Sequence, residues 1–186
     1  SSVGKYIYFE SDKAAAKGQV ARLQSETFEQ TTQRGKCFTF WFYISGVDAG
    51  FIEIVVKDVT NNNLYSLWRL GGTNMATQGW QFGQLGFYLD SPHTVIVQAT
   101  RGGSAGSVAI DDIYFKESQY CSFTPMDSFT GPNLPVPLAT TTRRPTQPTP
   151  SALDCDFEED LCQWKNDLLK DINWKRFNGS LTSVSG

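Results

Sequence analysis

Apolar residues along this chain alternate with polar ones far more often than they recur at a helical period. Lys5-Tyr-Ile-Tyr-Phe-Glu10 is aromatic and alternating, which predicts a strand, and Gln19–Gln24 predicts a second. Cys37-Phe-Thr-Phe-Trp-Phe-Tyr-Ile44 is an aromatic run closed by Ser45-Gly46. Bulky residues on both its faces predict a central strand of a packed sandwich. Phe51–Lys57 and Leu64–Arg69 predict two more strands around an Asn61-Asn62-Asn63 turn, and Gly71-Gly72 closes the latter. Trp80 and Phe82 lead to Phe87-Tyr-Leu89; the Ser91-Pro92 turn precedes a Thr94–Thr100 strand; a glycine-rich turn over 102–106 precedes Ser107–Phe115. No segment carries a helical period. The Ala14–Ala16 run is short and stands beside Gly18. Short strands at regular spacing with Gly, Asn and Pro punctuation predict an all-β sandwich.

The pattern breaks after residue 121. Seven of the eight prolines fall within 122–154. Thr140-Thr-Thr-Arg-Arg-Pro-Thr-Gln-Pro-Thr-Pro150 can neither pair as a strand nor wind as a helix, and favours extended polyproline II. It reads as an interdomain linker whose Thr/Pro content also suits O-glycosylation. Beyond it, 155–186 is too short for an independent core.

Net charge is −3 and the pI about 5.1, so no basic face is available to neutralise phosphates, which argues against a nucleic-acid partner. The basic pair Arg143-Arg144 is too small for an anionic membrane surface. No apolar run approaches the ~18 residues of a bilayer span, and Ser1 opens without a signal peptide, so a secreted protein would be present as a mature or excised form. Four Cys in an aromatic-rich chain fit an oxidising compartment; spacing alone allows three pairings. Zinc is a weak rival, because there is no Cys-x-x-Cys and His93 is the sole histidine.

Several spaced motifs together carry a family resemblance. Cys155-x-Phe157-Glu158-x-x-Leu161-Cys162-x-Trp164, with Trp174 ten residues on, resembles the opening of a MAM domain, the extracellular module named for meprin, the A5 antigen and receptor tyrosine phosphatase mu. Tyr6-Ile-Tyr-Phe-Glu10 resembles its early strand, Cys37-Phe-Thr-Phe-Trp-Phe-Tyr its central strand, and Val108-Ala-Ile-Asp-Asp-Ile113 with Cys121 its closing strand. The resemblance implies a jelly-roll antiparallel β-sandwich with disulfides Cys37–Cys121 and Cys155–Cys162. Chain entropy gives these roughly 4.6 and 2.5 kcal/mol. The departure is the order, because the opening motif stands last. The chain is predicted to hold a sandwich lacking its opening strands over 1–121, a linker over 122–154, and the opening segment of a domain over 155–186. Joined in family order, the two pieces make about one domain.

Residues suited to chemistry are few. Asp111-Asp112 sits in an apolar strand, where by alternation Asp112 shares a face with Val108 and Ile110, and Asp111 with Ala109 and Ile113. Buried carboxylates need hydrogen bonds or a cation. The resemblance implies a calcium or sodium site at Glu158 and Asp160 with Asp111 or Asp112; hard oxygen ligands suit calcium. The alternative is that these groups accept backbone N–H bonds at the sandwich rim. Trp41, Trp68, Trp80, Trp164 and Trp174 are expected in the core, with a sugar-stacking platform as the rival. Asn178-Gly-Ser180 is the one N-glycosylation sequon. A triad would have only His93, beside Pro92 and without a motif, and no paired carboxylates mark a cleft, so no enzyme is expected.

These features predict a secreted, extracellular structural or adhesive protein acting through other copies of itself or other extracellular proteins. Phe157, Leu161, Trp164 and Trp174 are the expected anchors by which 155–186 enters a neighbouring sandwich, head to tail, in donor-strand fashion. The alternatives are closure on its own sandwich, a fragment of a long tandem cell-surface protein, and a carbohydrate-binding jelly roll.

Overall fold

The computed structural model describes residues 4–10, 16–46, 48–71, 79–103, 106–117, 121–128 and 151–179. The Arg143-Arg144 stretch and most of the predicted linker, Ser180 of the sequon, and residues 181–186 of the last segment lie outside them. Ten strands form in chain order: β1 Lys5–Glu10, β2 Val20–Gln24, β3 Lys36–Ser45, β4 Phe51–Asp58, β5 Leu64–Gly71, β6 Gln81–Phe87, β7 His93–Thr100, β8 Ser107–Glu117, β9 Lys165–Asn166 and β10 Lys175–Asn178. They make two five-stranded sheets, ordered β10-β1-β8-β3-β6 and β5-β4-β7-β2-β9, and every strand pairing is antiparallel. No helix forms among the described residues. This is the all-β sandwich the alternation predicts.

The core follows from period two. In β3, Phe38, Phe40, Phe42 and Ile44 point inward and are fully buried. They meet Ile52, Ile54 and Val56 of β4, Trp68 of β5 and Val95, Val97 and Ala99 of β7 in one apolar cluster. The outer face of β3 corrects the sequence reading. Trp41 was expected in the core, yet it lies on the opposite face from that row and stays exposed, while Thr39 on the same face is buried. The tryptophans divide accordingly. Trp68, Trp164 and Trp174 are buried in the core, Trp80 is half-buried against Tyr6 and Tyr43, and Trp41 is outside.

Strand β6 is the element the pattern does not announce. Its core-facing positions are Gly83, Leu85 and Phe87. Gly83 is glycine because the Phe40 ring lies over it; a Cβ there would stand 2.4 Å from that ring. Gly86 leaves room for Cys121, which crosses to bridge Cys37 on β3. Both disulfides pair as the resemblance implies, Cys37–Cys121 across 84 positions and Cys155–Cys162 across 7.

The last segment completes this chain's own sandwich. β10 extends the first sheet beside β1, with Tyr6 opposite Phe177, and β9 extends the second beside β2. Cys155 pairs with Ile113 of β8. Of the arrangements weighed from the sequence, self-closure is the one present in the single chain.

Gly83→Ala is expected to destabilise the sandwich by about 1–3 kcal/mol through overpacking, read as a lower thermal midpoint. Combining it with Phe40→Leu should recover part of the loss, because Leu cannot fill the ring's place over residue 83.

Candidate functional site

The joint between residues 151–178 and the 1–121 body is the most specific constellation in the molecule. The segment contributes three large apolar side chains. Phe157 is fully buried, and Trp164 and Trp174 nearly so. Trp164 stacks on Phe115 at 6.2 Å with its plane inclined 17° and lies 6.4 Å from Phe38; Trp174 meets Phe9 at 6.3 Å. Leu161 packs against the same cluster, half-buried. Phe157, Trp164 and Trp174 thus sit in the core of their own chain, with Leu161 packed against it. The Trp164 indole N–H donates to the Leu153 carbonyl at 3.0 Å, so its polar edge is satisfied in the interior. Asn166 clamps the turn that follows. Its side chain donates to the Trp174 carbonyl and accepts the Trp174 N–H, at 3.1 and 2.8 Å.

Acidic side chains of the segment seal backbone donors of the body. Glu158 Oε1 accepts the Lys5 N–H at 2.8 Å, Asp154 Oδ1 that of Phe115 at 2.7 Å, and Asp171 Oδ2 that of Val20 at 3.0 Å. Lys5 Nζ donates to the Glu158 carbonyl at 2.6 Å, and Arg176 donates to the carbonyls of Glu158 and Glu159. Lys165 pairs with Glu26 at 3.4 Å, both exposed, a contact worth little. Glu158 and Asp160 were singled out from the sequence; Asp154 and Asp171 were not. A carboxylate that caps a strand some 40 or 150 positions away leaves no local signal.

Asp111 and Asp112 occupy a β-bulge. Register between β3 and β8 shifts between Thr39 and Trp41, and Asp112 adopts φ of +50°. The bulge corrects the face assignment made by alternation. Asp111 stands outward opposite Trp41, whereas Ile113 and Phe115 continue the inward row of Val108 and Ile110. Burial pushes the Asp111 carboxyl up to about 7, and repulsion from Asp112, Glu158 and Asp156 adds to it. Burial likewise raises Asp112, with Asp156 and Glu158 contributing. Asp160 turns back into its own loop to accept the Cys162 N–H at 2.6 Å. Among the described residues no three His, Cys, Asp or Glu side chains converge closely enough to hold a metal ion.

His93 is sealed from solvent. Its ring stacks on Phe28 at 5.4 Å, meets Phe87 edge-on at 5.5 Å, and engages the Ser91 carbonyl through Nδ1 at 3.0 Å. Burial lowers its pKa, so the imidazole is a neutral packing element and no substrate can reach it. Asn178 is exposed at the end of β10, opposite Lys5.

Two measurements test this electrostatic picture. Folded Asp111 holds a proton that the unfolded chain releases near its ordinary 3.8. Its stabilising contribution is therefore full below about pH 4 and is lost as pH rises through about 7. Asp111→Asn should raise the thermal midpoint at pH 8 by a few degrees, about 1 kcal/mol after solvent screening, and leave it unchanged at pH 4. With Glu158 and Asp160 engaged by backbone N–H groups, excess chelator should leave the melting curve unmoved. A drop of several degrees would instead assign a cation to the cluster.

The MAM domain model, meprin/A5/mu, matches residues 1–122. Neuropilin-1 of Xenopus laevis is 33% identical over 115 residues, which cover 59% of this chain and 12% of that protein. MAM domain-containing protein 2 of Homo sapiens is 29% identical over 117 residues, 62% of this chain and 16% of that protein. Thyroid hormone-induced protein B of Xenopus laevis is 22% identical over 177 residues, 95% of this chain and 22% of that protein. The chain spans less than a quarter of the length of each of these relatives. With a family model matched over most of its length, and with the two-sheet sandwich and both disulfides in place, the chain belongs to the MAM domain family.

Proposed function

We propose that this is an extracellular structural or adhesive protein built of MAM-type beads, acting by protein–protein contact without catalysis, in which 155–186 is an exchangeable joint between beads. One observation carries the reading. A segment that supplies Phe157, Trp164 and Trp174 to the core is attached to its sandwich by the linker alone, because each disulfide lies within one of the two pieces. The contacts that close one bead are the same contacts a neighbour's segment would make. Extended at ~3.1 Å per residue, the linker reaches roughly 100 Å. Closure and donation therefore differ in effective concentration more than in contact energy. Donated head to tail, the contact is heterologous and builds an open filament.

Two disulfides support an oxidising, extracellular setting, and exposure of Asn178 suits a secretory glycan. No described helix is long and apolar enough to cross a membrane. A second reading has its own support. The match to thyroid hormone-induced protein B covers 95% of this chain, so it runs through the linker into the last segment. That favours a piece of a longer tandem chain, in which 155–186 opens the next bead. The joint is the same in both readings.

Gln24 and Lys165 are Cα partners across the joint. With both changed to Cys, a disulfide would record which chain supplied the segment. Refolding at increasing concentration should give a growing ladder of cross-linked oligomers on denaturing, non-reducing gels. Internally linked monomer at every concentration would end the exchange reading.

A further inference from the structure

His93 is the chain's one histidine, and its ring is sealed inside the sandwich. The Ser91 carbonyl can only accept, so Nδ1 carries the proton and donates to it at 3.0 Å. That leaves Nε2 as a bare acceptor, buried and without a hydrogen-bond partner. Phe28 covers one face of the ring, and Phe87 meets it edge-on. A proton added at Nε2 would put a charge and an unmatched donor into an aromatic slot, which is costly.

The same residue fastens the loop that follows β2. Its carbonyl accepts the Phe28 N–H at 2.7 Å, and its N–H donates to the Phe28 carbonyl at 3.0 Å. Two positions on, the Val95 carbonyl accepts the Ser25 N–H and the Val95 N–H donates to Ser25 Oγ, both at 2.9 Å. That loop in turn holds the joint. Gln24 pairs with Lys165 of β9, and Glu26 meets the Lys165 ammonium at 3.4 Å. A run of rings makes a second connection. Phe28 lies 4.8 Å from Phe115, and Phe115 stacks on the anchor Trp164. Two rings, Phe28 and Phe115, thus stand between the imidazole and the anchor.

We propose that His93 is an acid-released latch on the joint: neutral, it pins Phe28 and through it Trp164; protonated, it must leave its slot, and the loop over 25–31 and the segment over 151–178 come free together. This rests on the joint proposed above and names what regulates it. The charged groups around the ring set the direction. Lys36 of β3, whose Nζ sits 4.9 Å over the Phe28 ring, opposes a second positive charge. Asp58 of β4, the Cα partner of His93, favours one, but its carboxylate is already engaged by Thr60 and Asn61. Burial is the largest influence and holds the imidazole below its ordinary 6.5. The opened chain therefore takes up the proton first. The latch holds fully above about pH 6.5 and weakens by up to about tenfold per pH unit below it. Asp111 and Asp112 act in the opposite sense, because their raised proton affinity favours the folded state in acid. Comparing His93 with a residue that cannot titrate, at each pH, cancels their effect.

The test follows amide hydrogen exchange of the full chain by mass spectrometry between pH 7.5 and 5, with rates corrected for their intrinsic pH dependence. Protection of peptides covering 19–31 and 151–178 is expected to fall about tenfold from pH 6.5 to 5.5, while β4 keeps its protection. His93→Phe fills the slot with a ring that cannot charge, and His93→Gln removes the ring. Both should flatten the pH dependence, and a melting curve at pH 7.5 checks the fold of each. The single imidazole resonance should keep its neutral shift below pH 6.5. Four results would overturn the latch: unchanged protection of 151–178 at pH 5, the same loss in both variants, loss spread evenly over every strand, or an imidazole that titrates at its ordinary pH. Hydrogen exchange reports whether the segment leaves its own core, and the cross-linking ladder whether it enters another's, so latch and donation can fail separately.

Discussion

Everything in this sandwich rests on burying three aromatic side chains that arrive from the far end of the sequence. Without Phe157, Trp164 and Trp174, the rings of Phe9, Phe38 and Phe115 would face a gap. Full burial of one such side chain is worth about 1.5–3 kcal/mol. The entropy of closing a connection to bring them home grows only with the logarithm of its length, about 0.6 kcal/mol per doubling. A long linker is therefore a small handicap against three buried rings.

Polar contacts then decide where the segment sits. Glu158, Asp154 and Asp171 each accept a backbone N–H of β1, β8 or β2. A shift of one residue in register would strand these donors and move Trp164 to the wrong face. Burial raises the proton affinity of Asp111 and Asp112, and the nearby carboxylates of Asp156 and Glu158 add to it. The bulge that carries this pair also turns Asp111 outward beside Trp41. Core completion, edge sealing and surface charge are thus consequences of one short acidic and aromatic sequence.

Much of this was legible in the residues. Period-two alternation located most of the strands, and the family resemblance carried by the spaced Cys, Phe and Trp motifs implied both disulfides. What escaped had physical reasons. β6 reads weakly because Phe40 and Cys121 occupy space that side chains at 83 and 86 would need. The Asp111–Asp112 bulge escaped because alternation assumes a regular pleat, and one inserted residue resets it. Trp41 was expected in the core because it is as bulky as the core row beside it, yet it stays exposed. Caps such as Asp154 and Asp171 act between distant strands and have no local signature.

The placement of the two disulfides has a mechanical consequence. Cys37–Cys121 ties together the body and Cys155–Cys162 the segment, so neither bridge crosses the seam between them. A proteolytic nick anywhere between Ser128 and Ser151 would leave two disulfide-stapled pieces held by packing and hydrogen bonds alone. Tension applied through the linker would load that seam before it loaded either bridge. A load that separated the seam would leave both pieces internally cross-linked.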